Sequence, residues 1–471
     1  MEEYLKAVIE QIRCKNVRPY VERELRDHLE DQINDNIASG MDKDEAVRAA
    51  VKDMGDPIET GIALDRVHRP SIAWGMIALV FVISIAAALI HFAIASGAEG
   101  SVYNQSSKTM IMFGAGFLVM LAIYFVDYTH VARFSKLIAL CLIGLCIYAR
   151  MFGTYINGAQ LWVRAFFIDI NVEAVMMLYV PVFAGILYKY RNVSIQAGKD
   201  ISGNGLDESD SSIKRHKFSI KKHSAVFDFI KILFWMIVPV FLVMQMPALV
   251  TALMMLISML TLLTIATSKG WFKVSKPIAI ASIWGVFVGL PVIGSVVMFF
   301  GNGLADYQKA RLVAFFTGSG EASYLTNVLR NVAASCRLYG SNGVDASITI
   351  PEYNSAYVLS YISITYGLIA GIFIACALAA LIAIVFGISL KQKNQLGMLM
   401  GCGCGMVLLV TTLINIFQNL GWFPPSRTFL PLMSSGGSYI IVTYILIGIV
   451  LSIYKYKSIY PKHVSVDYRL L

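Results

Sequence analysis

Two kinds of side chain in this sequence could do chemistry. The first is a set of six arginines, Arg150, Arg164, Arg311, Arg330, Arg337 and Arg427, all on segments that connect long apolar runs. A guanidinium is planar and always charged, and it grips a phosphate or carboxylate through two parallel bonds. Such a set suits a phosphorylated, lipid-linked ligand. Equally, each arginine can pair with a nearby acid such as Asp169, Asp306 or Glu321. The second is Glu173, at the start of an apolar run. An ionisable group inside a membrane span is costly and tends to be functional, whereas in the headgroup layer the cost is small. His28, Glu30 and Asp31 offer metal-ligand types, but they read better as the solvated face of a helix.

These residues must be positioned by the stretch that interrupts the apolar pattern most strongly. Asn415 to Ser438 reads NIFQNLGWFPPSRTFLPLMSSGGS, between the apolar runs Gly397–Phe417 and Tyr439–Tyr454. Pro424, Pro425, Pro431, Gly436 and Gly437 break helices there. Non-helical backbone is stable at membrane depth only where protein or a wet cavity satisfies its polar groups. The segment is therefore an ordinary loop capping the bundle, or one that dips into a cavity.

The composition, 57% hydrophobic and 15% charged over 471 residues, and the long uninterrupted apolar runs give a multi-span membrane protein. The net charge of +9 is uneven. Residues 1–70 hold 11 Lys+Arg and 16 Asp+Glu, and the remainder holds 28 and 14. An acidic polar head precedes a basic membrane body, and no cleavable signal peptide is visible in it. The positive charge is assigned to the membrane surface and not to nucleic acid. Of seven cysteines only Cys336 falls in a long loop, so no disulfide is expected. Gly401-Cys402-Gly403-Cys404-Gly405 reads as close helix packing by Gly397, Gly401 and Gly405 in preference to metal binding.

The fold class predicted is all-α: a ten-span helix bundle (71–471) behind a small helical domain (1–70). In the head, helices are expected over Tyr4–Arg13, Tyr20–Ile37, a third capped by Asp42 with Glu45, and a fourth capped by Asp56 with Pro57 at its first position. Val21, Leu25, Leu29 and Ile33 form the buried face. The pattern Glu24-Leu25, His28, Glu30-Asp31, Gly40-Met41, Asp44–Val47, Ala50-Val51 and Met54–Pro57 resembles the helical (HAAS-like) domain prefixed to many bacterial membrane permeases and anti-sigma-type regulators. That resemblance implies a regulatory or docking module on the cytoplasmic side.

Spans are expected at about 72–95, 109–126, 134–149, 171–188, 228–246, 248–266, 276–300, 357–389, 396–418 and 438–454, with Pro247 turning a tight hairpin. With the head inside, inner segments carry 19 basic residues, 15 of them Lys, and outer segments 8, six of them Arg. Both termini are then cytoplasmic. The loop 189–227 is inside, and Lys214, Arg215, Lys217, Lys221 and Lys222 in it face anionic lipid. The long loop 301–356 is outside.

On these residues a second resemblance rests. Asn415, Asn419, Leu420, Gly421, Pro424, Leu430, Pro431, Ser434, Gly436, Gly437 and Ser438 match, in order and spacing, the signature before the last span of the FtsW/RodA/SpoVE (SEDS) family. Gly158-Ala159 with Trp162, Glu173, Gln245 with Pro247, Thr251 and Ala252, Arg311, Pro351-Glu352, and Tyr366–Leu368 are similar to further family segments. The resemblance implies a bacterial plasma-membrane protein that polymerises lipid II, an undecaprenyl-pyrophosphate-linked precursor. It implies a class B penicillin-binding protein as partner and a role in division, elongation or sporulation. A base is needed near the attacking hydroxyl and cations on the leaving diphosphate. No cofactor is expected beyond a divalent cation. The family's aspartate in its P-E-x-(H/N)-(T/S)-D run is Ala356 here, that of the turn after span five is Ala248, and its frequent span-four lysine is Met176. Glu352, four residues before Ala356, reaches the same space on one helical turn or simply caps span eight. Asp345 and Asp306 are weaker candidates. Three readings follow: a polymerase with a relocated base, a non-catalytic protein that binds the precursor or scaffolds a division partner, or a transporter built on broken helices.

Overall fold

The computed structural model describes all residues except 16, 98–99, 157–158, 166–167, 203–210, 247, 273–274, 301–312, 314, 320–322, 344, 346–348, 427 and 463–471, with backbone alone at 101, 156, 159, 165, 168, 192–202, 211–227 and 299–300. Its described elements are mainly helical.

The head forms four helices, Glu2–Gln11, Arg18–Ala38, Lys43–Asp53 and Pro57–Val67. Each start has a local cause. The Asp42 carboxylate accepts from the Asp44 N–H at 3.3 Å, and Asp56 from the Ile58 N–H at 2.9 Å, satisfying first-turn donors. The first helix starts two residues earlier than its pattern suggests. Val21, Leu25 and Leu29 are buried and Ile33 is half-buried. Gly61 lets the first and fourth helices touch, since a Cβ there would lie 2.8 Å from the Val8 carbonyl.

Behind the head, nine helices among the described residues are long and apolar enough to cross a membrane. The expected fifth span, 228–246, lies in the second half of helix Ser211–Met244 and is not among those nine. Val172–Arg191, Gln395–Asn419 and Gly437–Lys455 form the buried centre, whereas Lys276–Met298 is almost wholly outward-facing. Gly397, Gly401 and Gly405 face neighbouring helices closely: added Cβ atoms would meet Tyr128, Ser389 and Phe386 at 3.2, 2.3 and 3.1 Å.

Two local features depart from the expected layout. The connection 150–170 contains an antiparallel three-stranded sheet, Thr154–Ile156, Ala159–Ala165 and Ile168–Asn171. The expected single span 357–389 is broken at Gly367 (φ 101) into Val358–Tyr366 and Leu368–Leu390. The loop 337–340 crosses there. Leu368 N–H donates to the Arg337 carbonyl at 2.8 Å and Gly340 N–H to the Tyr366 carbonyl at 3.1 Å. The loop thus supplies the bonds the helix gives up. A Cβ on residue 367 would sit 2.7 Å from the Leu338 carbonyl oxygen, so glycine is required.

Candidate functional site

The signature helix Gln395–Asn419 ends in three amides spaced i, i+3, i+4, which share one face. Asn415, Gln418 and Asn419 are all buried. Asn415 Nδ2 donates to the carbonyls of Ala356 (2.9 Å) and Thr428 (2.7 Å), and Gln418 Nε2 to the same pair at 3.3 and 3.0 Å. Asn419 Nδ2 reaches the Ala356 carbonyl at 3.2 Å, while its Oδ1 accepts from Ser360 Oγ at 2.7 Å. The loop that follows folds back on the same point. Ser434 Oγ donates to the Ser355 carbonyl at 2.7 Å and accepts from Leu430 N–H at 2.7 Å. Ser435 N–H donates to the Asn354 carbonyl at 2.9 Å. The loop therefore packs into the bundle, with the three amide NH2 groups donating to backbone carbonyls, and is not a simple surface cap. Leu432 (φ 60) and Gly436 (φ 144) take left-handed conformations to make this turn, and Gly436 lies against the Phe429 ring.

The turn 351–357 is thus welded to the signature, and the structure corrects how its acid was expected to lie. Glu352 has φ 50 and the helix begins only at Val358, so Glu352 and Ala356 do not stack on a helical turn. Glu352 is exposed, while Ala356 is 1% exposed among Ile94, Leu329, Val332, Ile350 and Tyr357. The Glu352 carbonyl receives the N–H groups of Ser355 (2.9 Å) and Tyr357 (3.3 Å). A left-handed non-glycine residue at a site is a feature that surrounding structure must hold in place. Asp345 is exposed on the loop before it. Asp306 lies outside the described residues.

A second cluster gathers around Glu173. Asn171 Oδ1 accepts from Ala174 N–H at 3.1 Å, starting helix Val172–Met176, and Asn171 N–H donates to Ser438 Oγ at 2.9 Å. This places the half-buried Glu173 carboxylate against Thr251 Oγ1, which donates to it, and against the Tyr439 hydroxyl, whose ring stacks on Phe429 at 3.8 Å. Beside it is a cavity of about 30 Å³ lined by Met254, Thr251, Thr411, Thr428, Tyr439 and Thr443, roughly the space of one or two waters. Glu173 is thus engaged by hydroxyls of its own bundle. Trp162, half-buried in the central strand, pairs with Asn171 across the sheet, and Gly437 packs on Met112. Met176 and Ala248 are both buried.

The arginines divide. Arg164 pairs with Asp169 at 2.8 Å across the strand register, which raises its pKa, and both are exposed. Arg330 spends its guanidinium on the carbonyls of Gly421 (3.0 Å) and Phe315 (3.2 Å). Arg150 donates to Gln160 at 3.3 Å. Arg337, exposed, donates only weakly to the Ser341 carbonyl at 3.5 Å. Arg311, Arg427, Glu321, Gly158 and Pro247 lie outside the described residues.

Three contributors were not legible beforehand. His91 Nε2 binds the Met433 carbonyl at 2.9 Å, and Gln105 joins Ser435 Oγ (3.2 Å) to Asn354 (3.2 Å). Gln418 carried a signal, its i+3 spacing from Asn415. His91 and Gln105 carried none. An apolar groove of about 590 Å³ runs between the first span and the broken helix, lined by Leu89, Ile90, Ile362, Tyr366, Ile369 and Phe373. Among the described residues no cluster of three or more His, Cys, Asp or Glu is placed to hold a metal.

Residues 70–459 match the family model FtsW/RodA/SpoVE, described as cell cycle protein. A probable peptidoglycan glycosyltransferase FtsW from Enterococcus hirae is 36% identical over 120 residues, 25% of this chain and 30% of that protein. The peptidoglycan glycosyltransferase MrdB of Helicobacter pylori is 23% identical over 376 residues, 75% of this chain and 84% of that one. The alignments to the first three curated relatives span only 30% to 42% of those proteins. Among solved structures, the rod shape determining protein RodA of Thermus thermophilus superposes with a TM-score of 0.52 at 16% identity. A chain from work described as the structural coordination of polymerization and crosslinking by a peptidoglycan synthase complex gives 0.61 at 19%. Each covers 82% of this chain and 98% of the other, so the fold is shared.

Proposed function

We infer that this chain, which belongs to the FtsW/RodA/SpoVE family of cell cycle proteins, polymerises a lipid-linked disaccharide during bacterial cell-wall assembly. The names of the relatives supply the reaction, glycosyl transfer to peptidoglycan. The observation that carries the reading here is the turn 351–357. An exposed carboxylate, Glu352, sits on a left-handed residue whose neighbours Asn354, Ser355 and Ala356 are tied to the signature loop.

In this reading the 4-hydroxyl of one disaccharide attacks the anomeric carbon of another. A new C–O bond forms, the bond to undecaprenyl diphosphate breaks, and the hydroxyl proton passes to Glu352. Arg337 and Arg311 are the cations offered to the leaving diphosphate, because Arg164 and Arg330 are already engaged. The apolar groove beside Gly367 would take a lipid tail. No resident cofactor is proposed, and a divalent cation would enter as the diphosphate's counter-ion. The placement proposed is the bacterial plasma membrane with both termini cytoplasmic, beside a class B penicillin-binding protein.

The test is polymerisation of purified lipid II by the full chain with its partner. Glu352→Gln should lower the rate by about 10²-fold or more, the usual worth of a general base. An unchanged rate would remove Glu352 from the reaction. One observation favours a second reading, a precursor-binding protein without turnover: the position of the family's acid is an alanine packed among apolar side chains. That reading expects retained lipid II binding and no polymer from the unaltered chain.

A further inference from the structure

The head is not tethered loosely to the membrane body. Its residues and those of the bundle share one continuous buried cluster, from Leu5 and Leu29 through Tyr128 to Tyr456 and Tyr460. The seat is the segment 455–462 that follows the last span. From the head, the Tyr20 ring meets Tyr460 edge-on at 5.8 Å and His68 Nδ1 lies 2.7 Å from the Ser458 carbonyl; just after the head, Ser71 N–H donates to the Lys455 carbonyl at 3.2 Å. From the bundle, the Tyr460 hydroxyl donates to Asp127. The other oxygen of Asp127 accepts from Thr129 N–H at 2.9 Å and starts the short helix Tyr128–Arg133. Asn394 Nδ2 holds the Pro461 carbonyl at 2.7 Å. Segment 455–462 is therefore a strap gripped at once by the head, by the turn before Tyr128–Arg133 and by the turn before Gln395–Asn419.

The strap continues directly into a stiff rod. Gly437–Lys455 is one unbroken helix, about 28 Å long at 1.5 Å per residue. It lies close against Val102–Phe125, because a Cβ on Gly116 would overlap the Tyr444 ring and one on Gly448 would sit 2.9 Å from the Met120 carbonyl. Ser452 Oγ donates to the Val126 carbonyl at 2.7 Å at the strap end. At the opposite end, the first residues of the same helix hold the Glu173 cluster: Ser438 accepts from Asn171 N–H, and Tyr439 bonds Glu173. A closely packed helix shifts as a body and does not stretch.

We propose that the head is a latch on the last span: seated on the strap, it fixes the axial position of Gly437–Lys455 and so the Ser438–Asn171 and Tyr439–Glu173 contacts at the other end. A partner that lifts the head would loosen the strap from Asp127 and release those contacts together. This stands whether or not the site polymerises glycan.

Hydrogen exchange on the full chain in detergent or nanodiscs tests it without reference to activity. Tyr460→Phe removes one hydroxyl and keeps the ring. It should speed exchange about fivefold, the effect of losing a hydrogen bond, both at 126–134 and at 168–175 with 428–440. Tyr20→Leu, which alters only the head's side of the seat, should do the same at both ends. Loosening that stops at the strap in both variants would overturn the proposal. A response at the far end to Tyr460→Phe but not to Tyr20→Leu would overturn the head's part in it. Should Tyr460→Phe fail to fold, Tyr20→Leu alone decides between these results.

Discussion

Asn415 and Ala356 meet at 2.9 Å across 59 residues of chain, side-chain amide to backbone carbonyl, and both are buried. The carbonyl of Ala356 is the point on which Asn415, Gln418 and Asn419 converge.

The first prediction follows from that convergence. Asn419→Leu removes the acceptor for Ser360 N–H and Oγ and the donors to Ala356 and Asn415. Buried groups left without partners cost about 1–3 kcal/mol. Thermal unfolding in detergent should show a lower Tm. An unchanged Tm would mean the network is replaceable by packing.

Ala356→Asp should not act as a repair. The family's acid would here enter the buried apolar cluster that holds Ile94, Leu329, Val332, Ile350 and Tyr357. An unpaired buried charge costs about 3–5 kcal/mol, or the carboxyl stays protonated. We expect lower stability and no gain in polymer formed from lipid II. A variant that is both stable and faster would refute this.

Asp65 gives the head an acid-sensitive joint. The Arg13 backbone N–H at 2.9 Å, and then the Arg69 guanidinium at 3.0 Å, hold its carboxyl below the ordinary 3.8, against the opposite pull of burial. A lowered folded-state pKa stabilises the fold at pH above the unfolded value. That contribution fades as pH falls from there through the folded value. Asp65→Asn should lower the Tm at neutral pH and flatten its decline below pH about 4. Parallel acid-denaturation curves for variant and parent would count against the joint.

Gly116→Val should disrupt the pairing of Val102–Phe125 with the last span. Its Cβ would lie 2.2 Å from Tyr444 Cδ2, and Tyr444 is fully buried with its hydroxyl 2.5 Å from Ser84 Oγ. Overpacking of this kind costs about 1–3 kcal/mol. Comparative denaturation of Gly116→Val and the open-space Gly114→Val, near which a Cβ meets nothing within 4 Å, separates packing from simple loss of glycine.

Much of the site's composition was readable in the chain, and little of its wiring. Asn415, Asn419, Ser434 and Gly436 are marked by the family resemblance; the first three bond the carbonyls of residues 355 and 356, while Gly436 lies against Phe429. Glu173 was identifiable by its cost in an apolar run, yet which hydroxyls engage it was not. Thr251 and Tyr439 stand 78 and 266 residues away from it in the chain, and periodicity gives a direction around a helix, not a neighbour. The break at Gly367 is not legible in the sequence because a glycine inside an apolar run is ordinary, and only the crossing of 337–340 makes it a break.

Read alone, the chain specifies a helical membrane protein with an acidic helical head. Apolar run length, helix-cap chemistry and charge balance are local quantities, and they act before any tertiary contact exists. The tertiary structure alone decided the rest. Whether an arginine serves a ligand or a carbonyl, whether Ala356 faces water or isoleucine, and whether the head hangs free or grips the last span depend on which distant surfaces pack. That choice is made by complementarity between helices whose apolar faces look alike when read one at a time.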